Sequence, residues 1–508
     1  MAVLSARYTQ SPHRPGGECA YIARTVPVLT RLRSARPLTV LASAWFVLFV
    51  YAFPGIMSPD TFEHLNEGRA GFYTDGHPPT MDLLFAVCDQ IVAGGFAVFI
   101  LESTLFLLGL YLVLRRTFPR ERAAWIAAAL GVFPPIMLPM AAVWKDSLMA
   151  SCLLLGIAGL LDARRGAKLA ALGALFVANA VRYNAFGATV PLIFLLFTWQ
   201  PGVHWLKRYA LSAAIAFALM LAAFRLNSAL VDQPMHYWHS SLGVHDIAGT
   251  LAHVDATIPD AELEQLFAGT DLRVHAGIHA RIKKLYTPKT YVMLDSMYEP
   301  EALWNLPLYG TTPAPEAQRD ALERAWKTTI TRYPGAYVRH RLAVMQEVLS
   351  FSRKRPIGVV PLRDFPYPQT VVDSGLTITW SPLQLAWTRG LVQLNRWTPL
   401  FEPWMYLAIA LLLLPLTRGH RDVFALYASG IVIESSLLLI APSPDYRYSH
   451  WMILASVLGT VVLYARRKRG QGQLAQLSSR NAAKIQERTG TGSTSATSAA
   501  TVAESCAS

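Results

Sequence analysis

The chain has 508 residues, 53% of them hydrophobic and only 16% charged, and its 46 Lys and Arg against 33 Asp and Glu leave a formal net charge of +13. A composition this apolar, with mean hydropathy +0.30, excludes an ordinary soluble domain. The basic residues are scattered among short loops and form no continuous patch, which argues against a nucleic-acid partner.

A membrane-crossing helix needs about 20 mostly apolar residues, and windows of that size predict about ten spans. They fall at 37–57, 95–114, 123–141, 147–161, 168–181, 185–198, 209–224, 404–416, 423–440 and 451–464. The expected fold is mainly α, a polytopic transmembrane helical bundle with a large external segment between the seventh and eighth spans. The first apolar run is long enough to stay as an anchor, and no cleavable signal peptide is read before it. Cys19, Cys88, Cys152 and Cys506 show neither metal-ligand spacing nor a disulfide framework.

Lys and Arg beside membrane ends favour the cytoplasm, which orients the chain. Arg24, Arg31, Arg33 and Arg36 precede the first span. Arg115, Arg116, Arg120 and Arg122 join the second to the third, Arg164, Arg165 and Lys168 the fourth to the fifth, and Lys207 and Arg208 the sixth to the seventh. Arg418 and Arg421 join the eighth to the ninth, and Arg466, Arg467, Lys468 and Arg469 follow the last. Every second connection is basic, so both termini are expected in the cytoplasm of a cell inner (plasma) membrane protein. The domains follow: 1–36 cytoplasmic, 37–226 membrane region with an external loop at 58–80, 227–401 external and soluble, 402–465 membrane region, and 466–508 a cytoplasmic tail. Past Gly470 that tail is rich in Ser, Thr, Ala and Gly and reads as disordered.

Within the external segment, Ala317, Ala321 and Ala325 beside Leu322, Trp326 and Ile330 predict a helix at 316–332. Val338, Leu342, Met345 and Leu349 predict another at 337–349, separated from the first by Pro334. Arg339, His340 and Arg341 allow the second helix either to lie at lipid headgroups or to pack on its own domain. His236, His239, His245, Asp246 and His253 match no strong zinc pattern.

The remaining external connections are SPDTFEHLNEGRAGFYTDGHPP (58–79), VWKD (143–146), VRYN (181–184) and PSPDYRYSH (442–450). Each holds charged groups at or beside a membrane edge, where such groups mark function. Asp60, Asp75, His77, Lys145, Asp146, Arg182, Asp445 and Arg447 thus converge at one depth. Cations to hold phosphate oxygens and a carboxylate to take a proton suit group transfer from a phosphate donor. Nucleotide sugars are cytoplasmic, so outside the membrane a lipid-linked phosphate is the natural donor. There is no Walker A motif and no dinucleotide glycine fingerprint.

The acid just after the first span, followed by a loop ending His77-Pro78-Pro79, resembles the GT-C superfamily of polytopic glycosyltransferases, especially protein O-mannosyltransferases and lipid A aminoarabinose transferases. The likeness covers the architecture loosely and 58–79 more specifically. It implies a polyprenyl-phosphate sugar donor, a first-loop carboxylate as base, carried here by Asp60, and inversion at the anomeric carbon. Lys145, Asp146 and Arg447 match in position and charge only. Relatives often carry two adjacent acids after the first span, whereas Thr61 follows Asp60 here and the next acid is Glu63, so the division of labour between Asp60 and Asp75 stays open. The expected catalytic residues are Asp60, Asp75 and His77, and Lys145, Arg182 and Arg447 are expected on the donor phosphate. No cofactor is required; a divalent metal is allowed but not indicated. The acceptor, a glycan, lipid or protein, is not specified.

Each residue also has a structural explanation. Asp60 can cap a helix, Asp75 sits in a TDG turn, His77 can tie down a turn, and Lys145-Asp146 can be a local ion pair. Arg182 can snorkel to headgroups, and Arg447 lies between belt tyrosines. A transporter or flippase of a lipid-linked or anionic solute, a surface-polysaccharide ligase or polymerase, and a non-catalytic membrane assembly protein are the alternatives; charged residues buried mid-span and an internal repeat would favour transport, and neither is found clearly, although Pro134, Pro135 and Pro139 break the third span.

Overall fold

The structure, a computed structural model, describes residues 36–197, 204–236, 238–294, 302–304, 313–351, 372–376 and 379–490. Among the described residues regular structure is helical, and β pairing is limited to isolated bridges. The first helix, α1 (Pro37–Ala52), starts with proline at its first turn, where the missing N–H costs nothing. The chain then leaves the apolar layer and forms α2 (Pro59–Ala70). The α2 start carries a capping box in which Ser58 and Thr61 satisfy each other's backbone N–H groups, with Asp60 in the first turn. A left-handed Gly71 ends it.

Helix α3 (Pro79–Asp89) packs across α2 at Gly68, where an added Cβ would stand 2.7 Å from the Asp82 carbonyl oxygen. Only glycine permits that approach. The bundle continues with α4 (Phe96–Leu114), α5 (Arg120–Gly131), α6 (Pro134–Ala141), α7 (Lys145–Leu160), α8 (Arg165–Val181), α9 (Ala185–Ile193) and α10 (Trp205–Leu230). Helix α7 packs on α4 and α8 around a core that includes Phe99, Phe106, Leu153, Leu154 and Leu175.

The segment after α10 forms a second core from α11 (Val244–Ala252), α12 (Asp260–Leu266), α13 (Ile278–Leu285), α14 (Glu316–Arg332) and α15 (Pro334–Val348), centred on Ile247, Leu251, Leu263, Ile282, Trp304 and Leu322. Helix α14 spans the predicted residues and buries Ala321, Leu322 and Ala325 of the expected stripe, while Ala317 is exposed. Helix α15 turns a different face inward: His340, Arg341, Val344 and Val348 are buried, while Val338 and Leu342 of the predicted stripe are exposed. Charge overrode periodicity there, because Asp246 accepts from His340, Arg341 and the Trp326 indole. Arg341 also donates to the carbonyls of Leu437, Leu438 and Ala441. It thereby satisfies the C-terminal carbonyls of α18, described next, and moors this second module to the bundle.

The chain returns through α16 (Pro382–Trp397), α17 (Pro403–Leu413), α18 (Arg421–Ile440) and α19 (His450–Gly490). Among the described residues, four helical stretches are long and apolar enough to cross a membrane, at Phe96–Leu114, Trp205–Leu230, Arg421–Ile440 and Tyr446–Gln473, or five with the pair α5 and α6, which is bent by 71°. This corrects the expected count of about ten. Hydropathy windows run across breaks such as Pro134-Pro135, and α1, with 16 residues, rises about 24 Å against a hydrocarbon core of about 30 Å.

Two further readings change. The tail continues as helix to Gly490 instead of losing order after Gly470, since Leu, Ala, Gln, Lys and Arg there are good helix formers; residues 491–508 lie outside the described residues, as do Arg24, Arg31, Arg33, Cys19 and Cys506. Mid-span acids also exist: Glu102 on α4 and Glu434 on α18 are fully buried.

Candidate active site

The polar loops are brought together by the backbone itself. Ile56 pairs with Ala142 in a parallel bridge, with Ile56 N–H donating to Ala141 O at 3.2 Å and Val143 N–H to Ile56 O at 2.9 Å. The Thr61 hydroxyl donates to Val143 O at 2.9 Å, and the Trp144 indole to Ser58 Oγ at 2.9 Å. These contacts lock the start of α2 against the start of α7, so Asp60 and Lys145 face one another. The last loop is placed by the Tyr446 hydroxyl, which donates to Pro135 O at the bend between α5 and α6 at 3.1 Å.

Arg447 then reaches across to α2. Its Nη2 is 2.6 Å from Asp60 Oδ2 and its Nε 2.8 Å from Asp445 Oδ2. The guanidinium stacks between Trp144 and Tyr448, 5.1 and 5.5 Å from their ring centres. Lys145 Nζ lies 2.7 Å from His77 Nδ1. An ammonium only donates, so Nδ1 accepts and the His77 proton sits on Nε2. That nitrogen is 3.4 Å from Glu63 Oε2.

Beneath His77, with ring centres 4.8 Å apart, lies the buried ring of His64, whose Nδ1 contacts Asp82 Oδ1. The result is one connected group of charges from four elements. Asp60, Glu63 and His77 keep side-chain exposures of 24%, 26% and 13%, so the group is reachable from outside.

The surroundings set each group's charge. Burial would raise the Asp60 carboxyl, but Arg447, then His77 and Lys145, outweigh it and hold Asp60 well below the usual carboxylate range. Burial and the adjacent Asp60 charge push Glu63 up to about 7. Burial, then Lys145, brings His77 down to about 4, so its ring is neutral near pH 7. Burial pushes Glu67 up to about 7, against the hydrogen bonds it accepts from Thr74.

Of the residues expected at the site, Asp60, His77, Lys145 and Arg447 meet. Arg182 is one layer away: it pairs with Asp146 at 2.8 Å and stacks on the Tyr448 ring shared with Arg447, 5.1 Å from its centre. Asp75 faces elsewhere. Its carboxylate accepts from the backbone N–H groups of Met235 at 2.5 Å and His236 at 3.0 Å, stitching the first loop to the chain after α10.

Glu63, His64 and Asp82 join the site without having been expected there. The signal available for Glu63 was its spacing three residues after Asp60, which puts both carboxylates on one face of a helix; His64 and Asp82 carried none. Two histidines of the second module bond to backbone: His245 Nε2 meets Thr287 O at 3.0 Å and His253 Nδ1 meets Gly249 O at 2.7 Å. Among the described residues no three His, Cys, Asp or Glu side chains are grouped to hold a metal. No protein-family model, no curated protein and no solved structure matches this chain.

Proposed function

We propose that the chain is an integral membrane glycosyltransferase, of GT-C-like organisation, moving a sugar from a polyprenyl-phosphate donor to an acceptor on the external face of the cell membrane. The observation that carries this is the contact of Asp60 with Arg447, flanked by Lys145 and His77, in which the first and last external loops unite carboxylates and cations beside apolar helices. Lys145, facing a neutral ring, and Arg447 would hold the phosphate as negative charge grows on the leaving oxygen. A carboxylate of α2 would take the proton of the attacking hydroxyl. In this reading the shorter apolar helices Pro37–Ala52, Ala185–Phe197 and Pro403–Thr417 are further crossings, with both termini in the cytoplasm.

The test is transfer of labelled sugar by the detergent-purified chain, where there are no compartments. A panel of undecaprenyl-phosphate monosaccharides should release undecaprenyl phosphate; inertness towards all of them, with no binding of undecaprenyl phosphate, overturns the proposal. The rival is transport of a lipid-linked or anionic solute. It is favoured by Glu102, whose two carboxylate oxygens have no hydrogen-bond partner, and by Glu434, which has one such oxygen. Uptake or flipping in sealed vesicles without chemical turnover in detergent would establish it.

A further inference from the structure

We infer that Glu63, rather than Asp60, is the catalytic base, and that His77 and Lys145 act on it as positioning residues; this rests on the lipid-phosphate transfer proposed above. A base needs an oxygen that is reachable and not held by a permanent cation. Asp60 fails on the second count, because Arg447 Nη2 occupies its Oδ2 at 2.6 Å and fixes it as a carboxylate. Its role is to hold the guanidinium in place for the donor phosphate.

Glu63 meets both conditions. It lies one turn further along α2 on the same face, keeps about a quarter of its side chain exposed, and meets a neutral imidazole N–H in place of a cation. The Lys145 ammonium fixes the His77 tautomer, which leaves the proton on Nε2, 3.4 Å from Glu63 Oε2. The neutral ring lies against the carboxylate without discharging it. The charged and titratable groups facing Glu63 come from every neighbouring element: Asp60, His64 and Glu67 on α2, His77 in the loop, Asp82 on α3, Lys145 on α7, and Arg447 beyond Asp60. Together they leave Glu63 ionising near neutral pH, where a base can both accept a proton and release it.

The step balances. An oxygen lone pair of the acceptor hydroxyl forms the new bond to the anomeric carbon as the bond from that carbon to the phosphate oxygen breaks. The bonding pair leaves with polyprenyl phosphate, held by Arg447 and Lys145. The hydroxyl proton passes to the Glu63 carboxylate and from there to external water.

The experiment uses the full-length chain in detergent with the undecaprenyl-phosphate sugar panel, read as release of undecaprenyl phosphate across pH 5 to 9. Wild-type turnover should rise with pH through about 7. Glu63→Gln should lose about 10²–10⁴-fold in turnover and the pH dependence, while still binding undecaprenyl phosphate; Glu63→Asp should recover part of the rate. His77→Gln, able to offer one N–H but not to hold Lys145 in the same way, should move the pH midpoint rather than abolish turnover. Retention of the wild-type profile by Glu63→Gln, or loss of the pH-dependent limb in Asp60→Asn alone, overturns the assignment while the transferase stands. A wild-type chain that neither binds undecaprenyl phosphate nor turns over any donor removes the transferase and this base together.

Discussion

Arg447 and Asp60 are 387 residues apart in the chain, yet their side chains meet at 2.6 Å. The two loops that carry them must therefore lie on one side of the membrane. Reporters fused after Gly71 and after Ser443 should both report the exterior, and those after Arg116 and Arg208 the cytoplasm. Opposite sides for Gly71 and Ser443 would dissolve the site.

Arg447→Ala should weaken undecaprenyl phosphate binding and cut turnover by about 10²–10³, measured on protein that still elutes as a folded species. Arg447→Lys should restore only part, because an ammonium cannot contact Asp60 and Asp445 with two separate nitrogens while stacked on Trp144. Lys145→Ala should also reduce turnover; near-normal rates in both alanine variants would take these residues out of the phosphate site.

Asp75 separates structure from chemistry. Asp75→Asn retains an acceptor oxygen for the N–H groups of Met235 and His236, so turnover should stay within a few-fold of wild type. Asp75→Ala leaves both donors without it and should cost about 1–3 kcal/mol, visible as a lowered melting temperature and easier proteolysis near 235. Abolished turnover in a stable Asp75→Asn protein would make Asp75 the base.

Stability should depend on pH with opposite signs at Glu63 and His77. Folding raises Glu63 to about 7 from an ordinary value of about 4.3, so its contribution is full below the ordinary value and is lost as pH climbs through 7. Folding lowers His77 to about 4 from about 6.5, so its contribution is full above the ordinary value and is lost as pH falls through 4. Melting curves should show the Glu63→Gln protein gaining on wild type as pH rises from 5 to 7.5. The His77→Gln protein should gain on wild type as pH falls from 6.5 to 4. Parallel curves for all three proteins would contradict the surroundings assigned to both groups.

The second module tests the mooring by Arg341. Gly249 faces His340 so closely that an added Cβ would stand 2.0 Å from its Nδ1. Gly249→Ala should push His340 off Asp246 and cost about 2–4 kcal/mol. Arg341→Met, which abandons the carbonyls of Leu437, Leu438 and Ala441, should release the module to limited proteolysis. Unchanged melting and protease resistance in both would show that the bundle holds the module by other means.

Along the chain, the residues themselves determined a good deal. Apolar blocks separated by basic and polar connections specify helices in a membrane. The 316–332 helix followed from its periodicity, and a helix start beside Asp60 from capping chemistry, although Ser58 and not Asp60 is the cap, because these interactions are made within one turn or one face. Hydropathy predicted more spans than helix length supports, since it is blind to where a helix bends or ends. What only the tertiary structure decided is which charge meets which. Arg447 takes Asp60, Arg182 takes Asp146, and Asp75 turns away to the backbone of Met235, while Glu63 is left beside His77. Those pairings rest on the bridge between Ile56 and Ala142 and on the approach of α3 to α2 at Gly68. A side chain's partner and its proton affinity are set by groups far away in sequence, and local periodicity carries no record of them.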